Sequence, residues 1–346
     1  MPENKLMSLD QVNNFKVSED RVLFSATHEE ILNGATTDIY FVKTHEILKN
    51  MGKDDIEVVA EVFARKSGVF CGLPEAMSLL KDSDVEIWAL PEGETFERKE
   101  VLMRIKGSYG EFGLFETPLL GILASSSGWA TAAREIKEVS GDKMSLVFGA
   151  RHVHPAIAPV MERSALVGGV DGASCILGAK LGGKEPKGTV PHAIFLIVGD
   201  TVEVAKAYDD LMPEGEPRLV LVDTFKDEAE ESLRVAEALG KRLNGIRLDT
   251  PSERGGVTPA LVREIRARLD LAGFEHVQIF ASGGLTPDRI KDLKEAGVES
   301  FGVGSYISGA RAIDMTMDLK EIGGKSIAKR GRIPGITPTD RLVKLK

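Results

Sequence analysis

VQIFASGGLTPDRIKDLKEAGVESFGVGSYISGA, residues 277–310, holds two consecutive passages of one pattern. Val277 to Ala281 is an apolar run that stops at Ser282-Gly283-Gly284. Thr286-Pro287 then opens an amphipathic stretch to Ala296, and Phe301 to Val303 stops again at Gly304-Ser305. A threonine hydroxyl that can accept from first-turn N–H groups, followed by proline at the first helical position, marks a helix start. The spacing therefore predicts strand, glycine turn, helix and strand. A strand that opens through glycines onto a helix N-terminus presents backbone N–H groups and the helix dipole to an anion. One glycine pair is explained equally well by a tight turn, but two glycine-rich ends on consecutive strands favour a phosphate site.

The same pattern runs upstream. Met144 to Phe148 leads to Arg151, Gly188 to Val190 to His192, Arg218 to Val222 to Asp223, and Gly245 to Leu248 to Asp249; helical stretches such as Asp227 to Leu239 and Thr258 to Leu271 lie between. Short strands alternating with amphipathic helices imply an α/β fold with a parallel sheet, and this many units in series predict an irregular parallel (β/α) barrel. The C-terminal strand ends of such a barrel share one mouth. Arg151, His192, Asp223, Arg247, Asp249, Ser282 with its glycines, and Gly302 to Ser305 should therefore converge although they are far apart in sequence. Cations, carboxylates and glycine backbone together suit a substrate with separated phosphates and a sugar between them.

Ahead of the barrel, Thr36 to Lys49 has helical spacing, and Ile56 to Phe63, Val85 to Leu90 and Val101 to Ile105 read as strands. They predict a smaller N-terminal α+β domain over residues 1–125, with helix from Thr117 to Val139. The barrel is expected over residues 126–319. The tail, 320–346, is basic from Lys325 and carries Pro334 and Pro338; it is expected to cross a surface or pack back on the first domain.

Composition bounds the function. Among 346 residues, 44 Lys+Arg against 53 Asp+Glu leave a net charge of −9, which argues against a polyanion-binding surface and hence against nucleic acid as partner. Cys71 and Cys175 have no paired spacing, which excludes a disulfide framework and points to a reducing, cytoplasmic compartment. The opening MPENKLMSLDQVNN is polar, and no apolar run approaches the ~18 residues of a membrane span. His152 and His154 alternate on an extended segment and point to opposite faces, so they are not read as a metal pair. Taken singly, Phe148, Tyr40 and His192 would be ordinary core or surface residues, whereas Asp223 and Asp249 stand out as carboxylates directly after apolar strands.

VFGARHVHPAIAPVMERSALVGGVDGASCILGAKLGGKEPKGTVPHA, residues 147–193, resembles nicotinate phosphoribosyltransferase, a type II phosphoribosyltransferase. GLFETPLLG, FGAR, GGVDGAS, GTVPH, VDT, IRLD, ASGG and FGVGS recur in that family's order, and the resemblance extends from TTDIYF at Thr36 to AKRGRIPG ending at Gly335. It implies transfer of a phosphoribosyl group from phosphoribosyl pyrophosphate to nicotinate, giving nicotinate mononucleotide in NAD biosynthesis, with ATP hydrolysed as co-substrate through a phosphohistidine at His192. It also implies substrate-bound Mg²⁺ and a homodimer or higher homo-oligomer with shared sites. Phe148 matches the aromatic that stacks on one face of the pyridine, and Tyr40 the aromatic supplied to the other face by a second subunit. Arg151 and Arg247 match arginines lining the base and ribose-phosphate site, Asp249 a ribose-binding carboxylate, and Asp171 a contact to the base or the pyrophosphate side. Thr189, Asp223, Ser282, Gly283, Gly284, Gly302, Gly304 and Ser305 complete the substrate-binding set, with His192, Arg247 and Asp249 as its catalytic members.

Three departures stand against the family pattern. IRLDTPSERGG replaces IRLDSGDL, so Asp249 is kept and the second carboxylate is lost; Ala193 follows His192 where some relatives have a hydroxyl; and no cysteine after Cys175 is present for the zinc knob of some relatives. Quinolinate and nicotinamide are the nearest alternative acceptors. Against quinolinate, its second carboxylate asks for more cations than a Phe/Tyr sandwich with Arg151 offers. Outside this reaction type, a phosphate-binding barrel aldolase or isomerase requires a lysine or an acid/base pair at a strand end, and no strand end named above is lysine or glutamate. A non-catalytic relative that binds phosphoribosylated ligands is the remaining alternative.

Overall fold

The computed structural model describes residues 5–346; Met1–Asn4, the start of the polar N-terminal stretch, lie outside the described residues. The chain divides into two compact units, Met1–Thr131 with Arg311–Lys346, and Ala132–Ala310.

In the first unit a sheet runs in the order Lys325–Ser326, Met315–Ile322, Glu57–Ala64, Val101–Ser108, Val85–Ala89, Val343–Lys344, with every pairing antiparallel. Glu57–Ala64 is interior to it: Ala60 faces Leu319 on one side and Ile105 on the other, and Val58 to Val62 are all buried. A strand covered on both faces needs a continuous apolar run, which EVVAEVFA supplies apart from Glu61. The helix Leu73–Leu79 adds Leu73, Ala76 and Leu79, one helical face, to the core formed with Val58, Ile87 and Met103.

Glu61 explains how the tail returns. Its side chain is buried, and Oε1 accepts from Arg104 Nε and Nη2 at 3.0 and 2.7 Å and from the Thr337 N–H at 3.1 Å. Arg104 Nη2 also donates to the Thr337 carbonyl at 2.7 Å. A buried ion pair needs its remaining hydrogen-bonding capacity filled, and the tail backbone fills it. Beyond this point Val343 and Lys344 pair with Ala89 and Trp88. The tail therefore packs on the first unit. That unit also claims Met315–Ile322, so the barrel unit ends at Ala310 and not at 319. At the other end, the division falls inside the continuous helix Glu116–Ser140, where composition offers no linker to read.

The second unit carries a parallel sheet in the order Gly172–Ala173, Met144–Val147, Ser300–Val303, Gln278–Ser282, Gly245–Leu248, Leu219–Leu221. Its interior is the β-branched and aromatic set predicted from the runs: Ile246, Ile279, Phe301 and Val303 have no solvent exposure, each burial contributing about 1.5–3 kcal/mol. Thr258 and Thr286 cap their helices, accepting from the N–H groups of Leu261 and Arg289. This is the expected α/β fold, an irregular (β/α) barrel with a separate N-terminal domain. Among the described residues the hydrogen-bonded ladder is open between Gly172–Ala173 and Leu219–Leu221.

The open place is where the strand Gly188 to Val190 was expected, and it does not form. Pro186 and Pro191 bracket that segment and have no N–H to donate to a ladder. Gly172–Ala173 pairs with Leu146–Val147 instead, and His192 is the first residue of the helix His192–Val198 behind Pro191. No helix of the described residues is long and apolar enough to cross a membrane.

Candidate active site

Register brings the strand ends together. Ser282 lies opposite Gly302, Val147 opposite Val303, and Ala281 opposite Leu248. The next residues along each strand, Phe148, Asp249, Gly283 and Gly304, therefore emerge within two residues of one another at the same end of the sheet. They line a cavity of about 480 Å³ together with Arg151, His152, Ser174, Arg247, Ser282, Gly284, Gly302 and Ser305. A second cavity, about 640 Å³, shares Arg151, Asp249, Gly283 and Gly284 with the first and continues over Thr250–Pro259 to Arg289.

Arg247 occupies the centre. It sits two residues before Asp249, so both side chains leave the same face of an extended segment. Its Nε donates to Ser282 Oγ at 2.9 Å and its Nη1 to Thr189 Oγ1 at 2.8 Å. The guanidinium carbon lies 5.2 Å from the Phe148 ring centroid and 5.6 Å from that of Phe280, within cation–π range. The two rings meet edge to face at 5.9 Å. Burial pulls the Arg247 pKa down, with Asp249 and Asp223 acting the other way; a guanidinium stays protonated through such a shift. Asp249 Oδ1 accepts from Ser282 Oγ at 2.7 Å, while Oδ2 stands 3.8 Å from Arg247 Nη2. One carboxylate oxygen is thus held in place and the other is left for a ligand.

Glycine at 302 is a steric requirement: a Cβ there would lie 2.6 Å from the Phe148 ring. At 283 and 284 the requirement is conformational, with φ of 88° and 59°. Arg289 Nη1 donates to the carbonyls of both residues, at 3.1 and 2.9 Å, and Nη2 to the Val257 carbonyl at 3.1 Å. In a trans peptide the N–H points opposite to the C=O, so this guanidinium turns the Gly284 and Leu285 N–H groups away from itself. Arg289 was not among the expected site residues. Its signal was a basic residue in the first turn of a helix, where the macrodipole disfavours one.

His192 is joined to Asp223 by Nε2, 3.1 Å from each carboxylate oxygen. The Asp223 side chain is 1% exposed and that of His192 38%; burial pushes the Asp223 pKa up, and His192 pulls it back. Thr189 reaches the site through Arg247 although its segment forms no strand. Tyr40 stands on the first unit, exposed, on the helix Ile39–Asn50.

Asp171 is the exception among the expected site residues of the barrel. It precedes the strand Gly172–Ala173, at the end opposite the cavity. Burial raises its pKa, but the Ser145 N–H at 2.8 Å and Lys137 Nζ at 2.9 Å outweigh that and leave it lowered. Its bonds close the N-terminal side of the sheet, and it is not among the residues lining the cavity. His152 Nδ1 lies 2.9 Å from Ser308 Oγ, while His154 Nδ1 accepts from the Ala156 N–H; the described residues hold no cluster of three or more metal-ligating side chains.

Two family models match this chain: the N-terminal domain of quinolinate phosphoribosyl transferase over residues 38–127 and its C-terminal domain over residues 129–318. Among curated proteins, the nicotinate phosphoribosyltransferase of Bacillus subtilis is 29% identical over 309 residues, covering 78% of this chain and 62% of the relative. One from Mycobacterium tuberculosis is 31% identical over 229 residues, covering 64% and 48%. The chain thus spans about half to three fifths of the length of these relatives. Among solved structures, nicotinate-nucleotide pyrophosphorylase from Pyrococcus furiosus is 42% identical with a TM-score of 0.88, covering 91% of this chain and 82% of that one. The resemblance read from the motifs pointed to the nicotinate family, which the curated relatives support; the domain models carry the quinolinate name.

Proposed function

The chain belongs to the quinolinate phosphoribosyl transferase family, and from that premise we propose that it joins a pyridine carboxylate to phosphoribosyl pyrophosphate, releasing pyrophosphate and forming nicotinate mononucleotide. One observation carries this reading: an aromatic ring, two arginines, a strand-end carboxylate and two glycine-rich strand ends line a single cavity.

The chemistry follows from those groups. Phe148 offers a face for a flat heteroaromatic ring, and Arg151 a guanidinium for its carboxylate. The pyridine nitrogen is nucleophilic without a base. It attacks C1 of the ribose while the bond from C1 to the pyrophosphate oxygen breaks, and positive charge builds on the sugar ring. Asp249, through Oδ2, can accept from a ribose hydroxyl and set its charge near C1; Arg247 neutralises the departing anion. The N–H groups around Gly283 and Gly284 suit the 5′-phosphate. Mg²⁺ would enter on the pyrophosphate and supply charge neutralisation there. Such a hard cation keeps most of its waters and needs no dedicated protein cage.

Two acceptors are favoured by different observations. Quinolinate is favoured by both domain models, and His152 lines the same cavity as Arg151 as a further polar partner for its second carboxylate. Its reaction also releases CO₂, which drives it forward without ATP. Nicotinate is favoured by the curated relatives. Its reaction lacks that drive, and ATP hydrolysis through His192 would supply one. Asp223 occupies Nε2, so Nδ1 is the nitrogen that would take the phosphoryl group. By the same resemblance, Tyr40 of a second copy covers the other ring face in a homodimer. An aldolase reading lacks a lysine at either cavity.

The deciding assay supplies phosphoribosyl pyrophosphate and Mg²⁺ with quinolinate, nicotinate or nicotinamide, with and without ATP, and measures nucleotide and CO₂. Nicotinate mononucleotide with equimolar CO₂ from quinolinate supports the first acceptor, and ATP-stimulated product from nicotinate the second. No nucleotide from any pyridine would overturn the proposal.

A further inference from the structure

The two loops at the start of the sheet each carry part of the cavity lining, and they are joined by a side chain that never reaches the cavity. Glu162 lies on the helix Ala158–Gly168 and has no solvent exposure. Its Oε2 accepts from the Cys175 backbone N–H at 2.6 Å. Its Oε1 accepts from the Ser174 hydroxyl at 3.0 Å and from the Ala150 backbone N–H at 3.3 Å. Ala150 and Ser174 both line the cavity, and Arg151 is the next residue after Ala150.

We propose that Glu162 is a positioning residue for pyridine binding, a buried carboxylate that ties the turn bearing Arg151 to the loop bearing Ser174 and so sets the width of the cavity between them. The proposal rests on the phosphoribosyl-transfer reading for its substrate, and on geometry alone for the clamp.

The chemistry of the site favours a clamp over simple core filling. An apolar residue would fill the same volume without the desolvation penalty of a carboxylate. Only an acceptor with two oxygens can satisfy donors from both loops at once, and an ionised one makes the stronger bonds. Burial pushes the Glu162 pKa up, while the bonds to Cys175, Ser174 and Ala150 oppose that shift. Gly178 belongs to the same arrangement, since a Cβ there would lie 3.0 Å from Glu162 Cβ and press on the helix at this residue. Because Glu162 touches neither cavity, its influence on a bound pyridine passes through Ala150 and Ser174.

Glu162→Gln is the informative variant. It keeps shape and one acceptor oxygen, but its amide NH₂ must face the donors of one loop. Two measurements are made on the full-length protein, with thermal unfolding as a check that it is folded. In steady-state kinetics with the pyridine that the wild type uses, KM for the pyridine should rise at least fivefold while kcat changes less than twofold. By amide-resolved hydrogen exchange, the Cys175 and Ala150 N–H groups should exchange at least tenfold faster, with the amides of Gly283 to Leu285 unchanged. Glu162→Asp, which keeps both oxygens on a shorter stem, should recover part of the KM. An unchanged KM in a folded Glu162→Gln protein, or a fall in kcat at constant KM, overturns the positioning role. Exchange at Cys175 equal to wild type overturns the clamp itself. If the wild type turns over no pyridine, the functional reading fails, and the clamp stands or falls on the exchange result. If Glu162→Gln does not fold, Glu162→Asp is read by the same criteria: KM raised with kcat kept supports the role, and an unchanged KM with altered exchange at Ala150 and Cys175 refutes it.

Discussion

Asp249→Asn removes one charge and leaves the shape of the site unchanged, so its cost can be worked from the geometry. Oδ1 is engaged by Ser282 Oγ at 2.7 Å, and an amide can keep that contact; the oxygen available to substrate is Oδ2, 3.8 Å from Arg247 Nη2. A hydrogen bond to a charged acceptor contributes about 1.5–3 kcal/mol against about 0.5–1.5 for a neutral one, so one ribose hydroxyl loses about 1–1.5 kcal/mol. A carboxylate about 5 Å from a full positive charge interacts by about 3 kcal/mol at an effective dielectric of 20, and by about half that for a half-developed charge. Together these reach about 2.5–3 kcal/mol, or roughly a hundredfold in kcat. The substitution does not touch Phe148 or Arg151, so pyridine affinity should stay within about twofold. Pre-steady-state turnover with saturating phosphoribosyl pyrophosphate measures the first quantity, and calorimetry with the pyridine alone the second. A kcat within threefold of wild type would refute the placement of Asp249 against the developing charge. Equal losses in affinity and rate would refute it also, by showing that the substitution disorders the pocket.

Two further outcomes are expected. On the proposed nicotinate reading, His192→Ala should abolish stimulation by ATP and leave slow, ATP-independent transfer, measured as nucleotide formed with and without ATP; equal loss of both rates would remove His192 from the coupling. Glu116, in the first unit, is pushed up to about 7 by burial and by Asp318, from an ordinary 4.5. The folded chain therefore binds a proton there that the unfolded chain has released, so this group's contribution to stability declines as pH rises from about 4.5 to 7 and is level above. Glu116→Gln should gain in melting temperature over wild type between pH 5 and pH 8, and a constant difference across that range would contradict the burial argument.

How far the site was legible follows from what each signal depends on. Ser282-Gly283-Gly284 and Thr286-Pro287 announce themselves because glycine at positive φ and proline at a helix start are local requirements of the backbone. Asp249 is legible because one residue past a strand is a fixed place in a parallel barrel. Asp171 falls away from the cavity although its local sequence, GGVDGAS, carries a family motif, because the side of the sheet on which it lies depends on where a two-residue strand begins. Arg289 and Glu162 were passed over because each acts on backbone of residues distant from it, Val257 in one case and Ala150 and Cys175 in the other.

By itself, the sequence determined the α/β alternation, most of the barrel strands, the capped helix starts and the glycine-rich strand ends, since periodicity, caps and turn chemistry are written within ten or so residues. Tertiary structure alone decided that Pro186 and Pro191 leave the sheet without a strand at 188–190, that Met315–Ile322 belongs to the first unit, and that Arg247 packs against two phenylalanines with its donors on Ser282 and Thr189. Each of these depends on which distant groups share a sheet register or a buried charge. Such choices are settled by competition among contacts across the whole chain, because a pairing is made only where a partner strand or a counter-ion is also in place.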